Sequence, residues 1–272
     1  MNSQKITVIV SLLVSVLCPR AYGQEVSLEQ RQPLELVYAD SIVPQDTHEM
    51  MLTSGAWYLR SGDLHDSFLA QKIEWGISDS LQVAAFVHLV RSSNLIGATV
   101  NGFGDMEIGA RYTWATVGSQ FTHIALAFDA GFPTGDPRKG LGEGKYTVSP
   151  SLLLSREFRK GKYQVFSTSG AEFIAGHRVL GGVFDAQPHH SIFANSGLSR
   201  RIGHGWGIGE LSVSSNRWSG GNETQIVFTP SYVWRVARRT ELLLGVPIGL
   251  TSSAQHFGVV VKFTFELGGP RE

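Results

Sequence analysis

The segment Phe257–Leu267 alternates between two kinds of side chain. Phe257, Val259, Val261, Phe263, Phe265 and Leu267 are apolar, Gly258, Lys262, Thr264 and Glu266 are small or polar, and Val260 alone breaks the pattern. A period of two over this length describes a β-strand with one apolar and one wettable face. A strand of this kind cannot cover its apolar face by itself. Many of them in one chain, behind an export signal, predict a transmembrane β-barrel in which that face meets lipid.

An export signal is legible at the start. Lys5 precedes a mostly apolar run over 6–17, Pro19 breaks the run, and Ala21-Tyr22-Gly23 has the small-x-small form of a cleavage site. The reading is a signal peptide over 1–23, with the mature chain starting at Gln24. The run is too short for a spanning helix of about 20 residues, and Leu17 before Cys18 does not suit a lipidation site. Cleavage would remove the only cysteine, so the mature protein would rely on its core or its membrane rather than on a disulfide. Basic and acidic residues balance at 23 each, which gives no footprint for a nucleic acid partner.

Alternation and turn residues mark about twelve antiparallel strands, an even number as single-chain bacterial barrels have. Their expected spans are 49–60, 66–77, 80–90, 104–116, 119–132, 145–158, 162–175, 190–202, 205–216, 223–236, 239–250 and 255–267. Tight turns at Ser78-Asp79, Val117-Gly118, Lys160-Gly161, Gly203-His204 and Arg238 alternate with longer Gly-rich connections at 92–102, 133–144, 176–188 and 219–222. The first and last connections of the long series, Gly62-Asp63 and Ser252-Ser253, look short. Short turns on one rim and long loops on the other are the habit of outer-membrane barrels, and an even count puts both termini on the periplasmic, short-turn side. A soluble β-sandwich shares the alternation and the turns. It explains neither the short/long rhythm nor the aromatic residues at strand ends (Trp75, Trp114, Tyr146, Phe158, Tyr163, Trp206, Trp234 and Phe265), where an interfacial girdle would sit.

The expected organisation is therefore an all-β, up-and-down barrel over 48–267, preceded by a segment at 24–47 and followed by a tail at 268–272. The 24–47 segment lacks sustained alternation and reads as a periplasmic tail or as a plug folded into the lumen. Pro230 and Pro247 fall inside expected strands and should sit at a bulge or near a strand end, because proline donates no ladder hydrogen bond.

Strand parity assigns Asp105, Glu107, Arg111 and Asp129 as candidate lumen lining, with Lys72, Glu74, Glu172, Lys262 and Glu266 on the same inward face. Charges of both signs there have two readings: they pair and fill a narrow barrel, or they line a wet path and orient a solute. Pro133, Thr134, Gly135, Asp136, Arg138 and Lys139 open the 133–144 loop, a candidate constriction if it folds toward the lumen. No metal site is assigned: adjacent His189 and His190 would point to opposite faces of a strand, and His88 and His123 stand alone. No catalytic residue or cofactor is assigned either. The chain has no G-x-S-x-G elbow, and neighbours such as His65, Asp66 and Ser67 point apart on a strand.

Residues 102–114, GFGDMEIGARYTW, and the stretch 132–155, with FPTGD, then GLGEGKY, then SPSLLLS, resemble recurring elements of the MetA-pathway of phenol degradation family. The resemblance implies an exported outer-membrane barrel that helps small molecules, aromatic or apolar ones among them, across the outer membrane. Its implied partners are membrane lipids and a small solute. The alternatives carried with it are a non-conducting structural barrel and an outer-membrane lipid-modifying enzyme. That family has no established catalytic residues to carry over. The chain departs from the pattern at its end, where 268–272 follow Leu267 instead of a terminal aromatic.

Overall fold

The computed structural model describes residues 33, 35–39, 47–93, 100–114, 122–139, 141, 142, 144–159, 162–175, 190–218, 221–237 and 239–268. The expected signal peptide, the turns at Val117-Gly118, Lys160-Gly161 and Arg238, the 176–188 loop and the end of the C-terminal tail lie outside the described residues. The strands are β1 (Met50–Ser61), β2 (Leu64–Gly76), β3 (Leu81–Ser93), β4 (Val100–Gly102), β5 (Met106–Trp114), β6 (Thr122–Phe132) and β7 (Tyr146–Phe158). They continue as β8 (Tyr163–Ala175), β9 (His190–Ile202), β10 (Gly205–Trp218), β11 (Gly221–Ala237), β12 (Thr240–Gly245), β13 (Ile248–Gly249) and β14 (Phe257–Leu267).

Each strand pairs antiparallel with its neighbours, and β1 closes onto β14 from Met50↔Leu267 to Arg60↔Phe257. β4 and β5 both pair β3, and β12 and β13 both pair β11 and β14, so the closed barrel has twelve staves. Closure is what a membrane demands, because every ladder group then finds its partner inside the protein. The pairing Met50↔Leu267 also sets both ends of the barrel chain on one rim.

Alternation sorts side chains in the sense opposite to that of a water-soluble sheet. Ile73, Ile108, Leu126, Phe128, Ile192 and Leu211 are exposed, whereas Thr53, Glu74, Arg111, Thr168, Glu210 and Thr229 are buried. Apolar groups outside and polar groups inside are stable only when the outer surface faces hydrocarbon, which rules out the sandwich. Trp75, Trp114, Trp234 and Phe265 stand exposed on the rim that holds the termini, and Tyr112–Trp114 and Tyr232–Trp234 pack ring against ring there. Trp206 departs from the expected girdle. It shares the inward parity of Ile208 and Glu210 and is 4% exposed in the interior cluster.

Strand bounds differ from the sequence reading where the chain carries breaks. Residues 100–102, expected in a loop, form β4, and the expected strand 239–250 splits around Val246 and Pro247. Pro230 lies in the interior of β11 opposite that split, and the β11 ladder passes from Phe228↔Ile248 to Ser231↔Gly245. One defect thus accommodates both prolines, with the Val246 amide donating to the Pro230 carbonyl. Pro150 on β7 sits at a similar gap, where the ladder passes from Val148↔Phe173 to Ser151↔Gly170. Both Pro150 and Pro230 are exposed.

Candidate functional site

Residues 35–39 cross the barrel interior as a short strap. Its apolar side chains Leu36, Val37 and Ala39 are buried against Phe166, Trp206, Ile208, Val233, Leu243 and Val260, which reach inward from β8, β10, β11, β12 and β14. Its backbone is gathered by one side chain. The Glu210 carboxylate accepts the amides of Val37 (2.7 Å), Tyr38 (2.9 Å) and Ala39 (3.0 Å). Three charge-assisted bonds to consecutive amides replace the water that a buried backbone would otherwise miss. Asn195 donates to the Tyr38 carbonyl (3.0 Å) and Gln255 donates to the Tyr38 hydroxyl (2.6 Å). These are the contacts of residues 35–39 folded into the lumen.

Glu35 fixes the other end. Its carboxylate lies 3.3 Å from Lys72 Nζ and 3.0 Å from Lys262 Nζ, and Lys262 also donates to the Leu36 carbonyl (2.6 Å). Burial pushes the Glu35 carboxyl up, but the two ammonium groups outweigh it and hold its pKa down at about 2. Burial, with the Glu210 charge beside it, raises the Tyr38 phenol to about 12 against the opposing Gln255 bond.

The expected lumen charges divide by role. Arg111 Nη2 pairs with Glu74 Oε1 at 3.0 Å, Lys72 approaches the same oxygen at 3.1 Å, and Gln82 donates to it (2.6 Å). Arg111 is thus built into a buried charge network on the wall. Lys262 belongs to the strap anchor. Asp105 lies in the short segment between β4 and β5, where its Oδ1 accepts the Gly135 amide (2.8 Å). Thr134 donates its hydroxyl to the Gly104 carbonyl (3.0 Å) alongside. These bonds lock GFGD to FPTGD, the two motifs that carried the family resemblance. A Cβ at Gly135 would stand 2.6 Å from the Leu141 carbonyl oxygen, so this clasp requires glycine. Asp136 and Lys139 form an exposed ion pair (3.4 Å), Pro137–Lys139 is one turn of 3-10 helix, and Arg138 is exposed.

Glu107 and Asp129 face a cavity of about 420 Å³ between the strap and the wall from β1 to β6. Pro133, Thr134, Gly135, Asp136, Arg138 and Lys139 contribute nothing to its lining. Four rings share that wall with Lys72, Ala84, Gly109 and Lys262. Trp57 stacks on Phe68 (ring centroids 4.8 Å), and His88 meets Phe68 (4.6 Å) and Phe86 (4.9 Å) edge to face. His88 Nδ1 donates to the Asp105 carbonyl (3.1 Å), which can only accept, so that nitrogen carries the proton. A β-bulge at Leu89, between the pairs Leu69↔Val90 and Ala70↔His88, sets the turn of the chain beside this ring. Gly109 leaves room for Asp129, whose Oδ1 would collide with a Cβ there.

The sequence reading singled out neither the strap anchor nor the aromatic wall. Glu210 is a lone carboxylate in a Gly- and Ser-rich strand, and Trp57, Phe68 and Phe86 lie on the wettable parity of strands whose outward face is also apolar. The signal that finds them is parity alone, once the register is fixed.

Residues 63–265 match the model of a family described as "Putative MetA-pathway of phenol degradation". No curated protein matches the chain. Among solved structures, the fold resembles an outer membrane channel from Pseudomonas putida F1, with a TM-score of 0.68 and 11% identity over 85% of this chain and 100% of that one. NanC porin matches with a TM-score of 0.56 and 10% identity, covering 79% of this chain and 100% of that one. KdgM porin matches with a TM-score of 0.53 and 9% identity, covering 80% of this chain and 99% of that one. At such identities the likeness concerns the fold.

Proposed function

Because the chain belongs to the MetA-pathway of phenol degradation family, and folds as a closed barrel of the outer-membrane kind, we propose that it is an outer-membrane channel for small solutes, aromatic or apolar ones among them. In this reading the signal peptide directs the chain to the outer membrane, 48–267 span it, and both termini face the periplasm. The observation that carries the reading is the cavity left beside the strap: about 420 Å³, walled by rings and by charged groups. A barrel built only as a scaffold has no need to keep an interior of that size and polarity open. The fold likeness to an outer membrane channel and to two porins supports the same reading.

Of the four candidate lining residues, Glu107 and Asp129 take the solute-facing role, while Arg111 stiffens the wall and Asp105 holds the loop clasp. The path runs past the strap, whose docking sets its width. In this reading residues 35–39 form a constriction of that path.

Planar-bilayer recording of the purified protein tests the proposal. Discrete conductance steps are expected, with a cation preference that Asp129→Lys lowers or reverses. A silent bilayer, from wild type and from a variant with the strap unfastened, would favour the second reading. That reading, a non-conducting barrel, is supported by the buried packing of Leu36, Val37 and Ala39 across the lumen.

A further inference from the structure

The outward face of β9 is apolar at Ile192, Leu198 and Ile202, all exposed, yet Arg200 shares their parity and is exposed with them. Its ladder partner on β8 is Tyr163, on the same outward face. The Arg200 guanidinium lies 5.8 Å from the centre of the Tyr163 ring, and the Arg159 guanidinium lies 5.7 Å from it. Arg159 and the exposed Lys162 belong to the turn between β7 and β8, on the rim that holds the termini. Among the described residues no carboxylate pairs with Arg159, Lys162 or Arg200. Arg159 has a φ of 52°, a left-handed conformation that glycine adopts at less cost, so the turn holds a cation where local preference favours another residue. Charge is also uneven around this rim: residues 159–162 read RKGK, whereas 77–80 read ISDS and 115–121 carry no charge.

We propose that Arg159, Lys162, Tyr163 and Arg200 form a binding site for the phosphate of an anionic phospholipid in the periplasmic leaflet. The inference rests on the outer-membrane reading above, with both termini in the periplasm, and does not depend on whether the lumen conducts. An outward arginine among apolar neighbours is tolerated near the headgroup level and costly deeper in the bilayer. A strand end that carries a tyrosine is where that level falls. Guanidinium groups pair with phosphate through two parallel hydrogen bonds, and the Tyr163 hydroxyl is a further donor. Leu198 and its ladder partner Val165 continue the outward face away from the rim, so an acyl chain leaving the phosphate meets apolar side chains. A zwitterionic headgroup brings its own cation into a group of three, whereas an anionic one does not. An acidic periplasmic protein is the poorer fit: Arg200 lies within β9, which runs on to Ile202, and faces the belt rather than the space beyond the rim.

Native mass spectrometry of the purified, detergent-solubilised protein tests this without requiring conductance. The probes are dioleoylphosphatidylglycerol and dioleoylphosphatidylcholine, which share their chains and differ in headgroup charge. The protein is expected to retain phosphatidylglycerol about tenfold more than phosphatidylcholine. The double variant Arg159→Gln/Arg200→Gln is expected to lose that preference. Arg60→Gln removes an exposed arginine at the far end of β1, on the opposite rim, and is expected to leave the preference unchanged. Ammonium phosphate in excess is expected not to displace the lipid, because the chains contribute to its hold; displacement would assign the cluster to a free anion and overturn the lipid. Equal retention of the two lipids overturns the proposal and leaves the cluster to an acidic periplasmic partner. An unaltered preference in a folded double variant overturns it as well. If the double variant does not fold, as read from heat-modifiable gel mobility, Arg200→Gln alone and the two-lipid comparison on the wild-type protein decide. A silent bilayer with intact lipid preference would remove the passage reading and keep the site; conductance without lipid preference would do the reverse.

Discussion

Glu210 is a single carboxylate on which a whole segment depends. It sits mid-wall on β10, 0% exposed, and takes the amides of Val37, Tyr38 and Ala39 at 2.7 to 3.0 Å. A buried amide left without an acceptor costs about 1–3 kcal/mol, and Glu210→Ala orphans three at once. That loss is as large as what the burial of Leu36, Val37 and Ala39 contributes, so the strap is expected to leave the lumen. Hydrogen exchange reads this directly. The three amides should be protected in the wild-type protein and should exchange at the rate of an open chain in Glu210→Ala. Glu210→Gln keeps one acceptor oxygen and should fall between. Full protection in Glu210→Ala would mean that apolar packing, not the carboxylate, holds the strap. Among inward charges this residue had no distinguishing mark in the sequence, because its partners are backbone groups, which every residue possesses. The Glu74–Arg111 pair differs: opposite charges at inward parity on β2 and β5, with Gln82 between them on β3, could be anticipated once the register was known.

At the scale of elements, the strap carries two titratable side chains of its own, one acidic and one phenolic. Glu35 has its pKa lowered from 4.5 to about 2 in the docked state. A depressed carboxyl stabilises docking above its free value and loses that contribution as pH falls from about 4.5 toward about 2. Tyr38 has its pKa raised from 10.0 to about 12, so its contribution is whole below 10.0 and fades as pH rises through about 12. Neither Glu35 nor Tyr38 changes its contribution across neutral pH, and each loses it at its own extreme. Conductance measured against pH should rise on acidification below about 4.5, and Glu35→Gln should abolish that acid limb. An acid limb unchanged in Glu35→Gln would assign it to another group. The barrel staves were legible because alternation is a local property, and the span 190–202 coincides with β9. Breaks were less legible. β4 is three residues long, and the β12–β13 split depends on how Pro230 and Pro247 meet across a ladder, which is a fact about two strands rather than one. The strap carried no periodic mark in the sequence, and where it docks is set by groups about 170 residues away, the separation of Val37 and Glu210.

For the whole molecule, the ordering of its two faces decides where it can exist. Leu126 and Ala127 are neighbours near the middle of β6, yet they inhabit different solvents. Leu126 is 47% exposed on the outer belt, while Ala127 packs inside beside Ala125 and Leu153. A water-soluble β-protein would accept a charge at an exposed mid-strand site with little penalty. A lipid-facing site does not, and an arginine near the bilayer midplane costs about 2–4 kcal/mol. Leu126→Arg should therefore lower the stability of the membrane-inserted barrel by about that amount, measured by denaturant titration of protein folded into lipid vesicles. The same substitution at an exposed position beyond the girdle, such as Ile77 next to the rim, should cost far less, because depth rather than exposure sets the penalty. Equal costs at the two positions would mean that Leu126 faces water. The outer belt would then not be a hydrocarbon surface, and the closed ladder from β1 to β14 would enclose the lumen of some other kind of barrel.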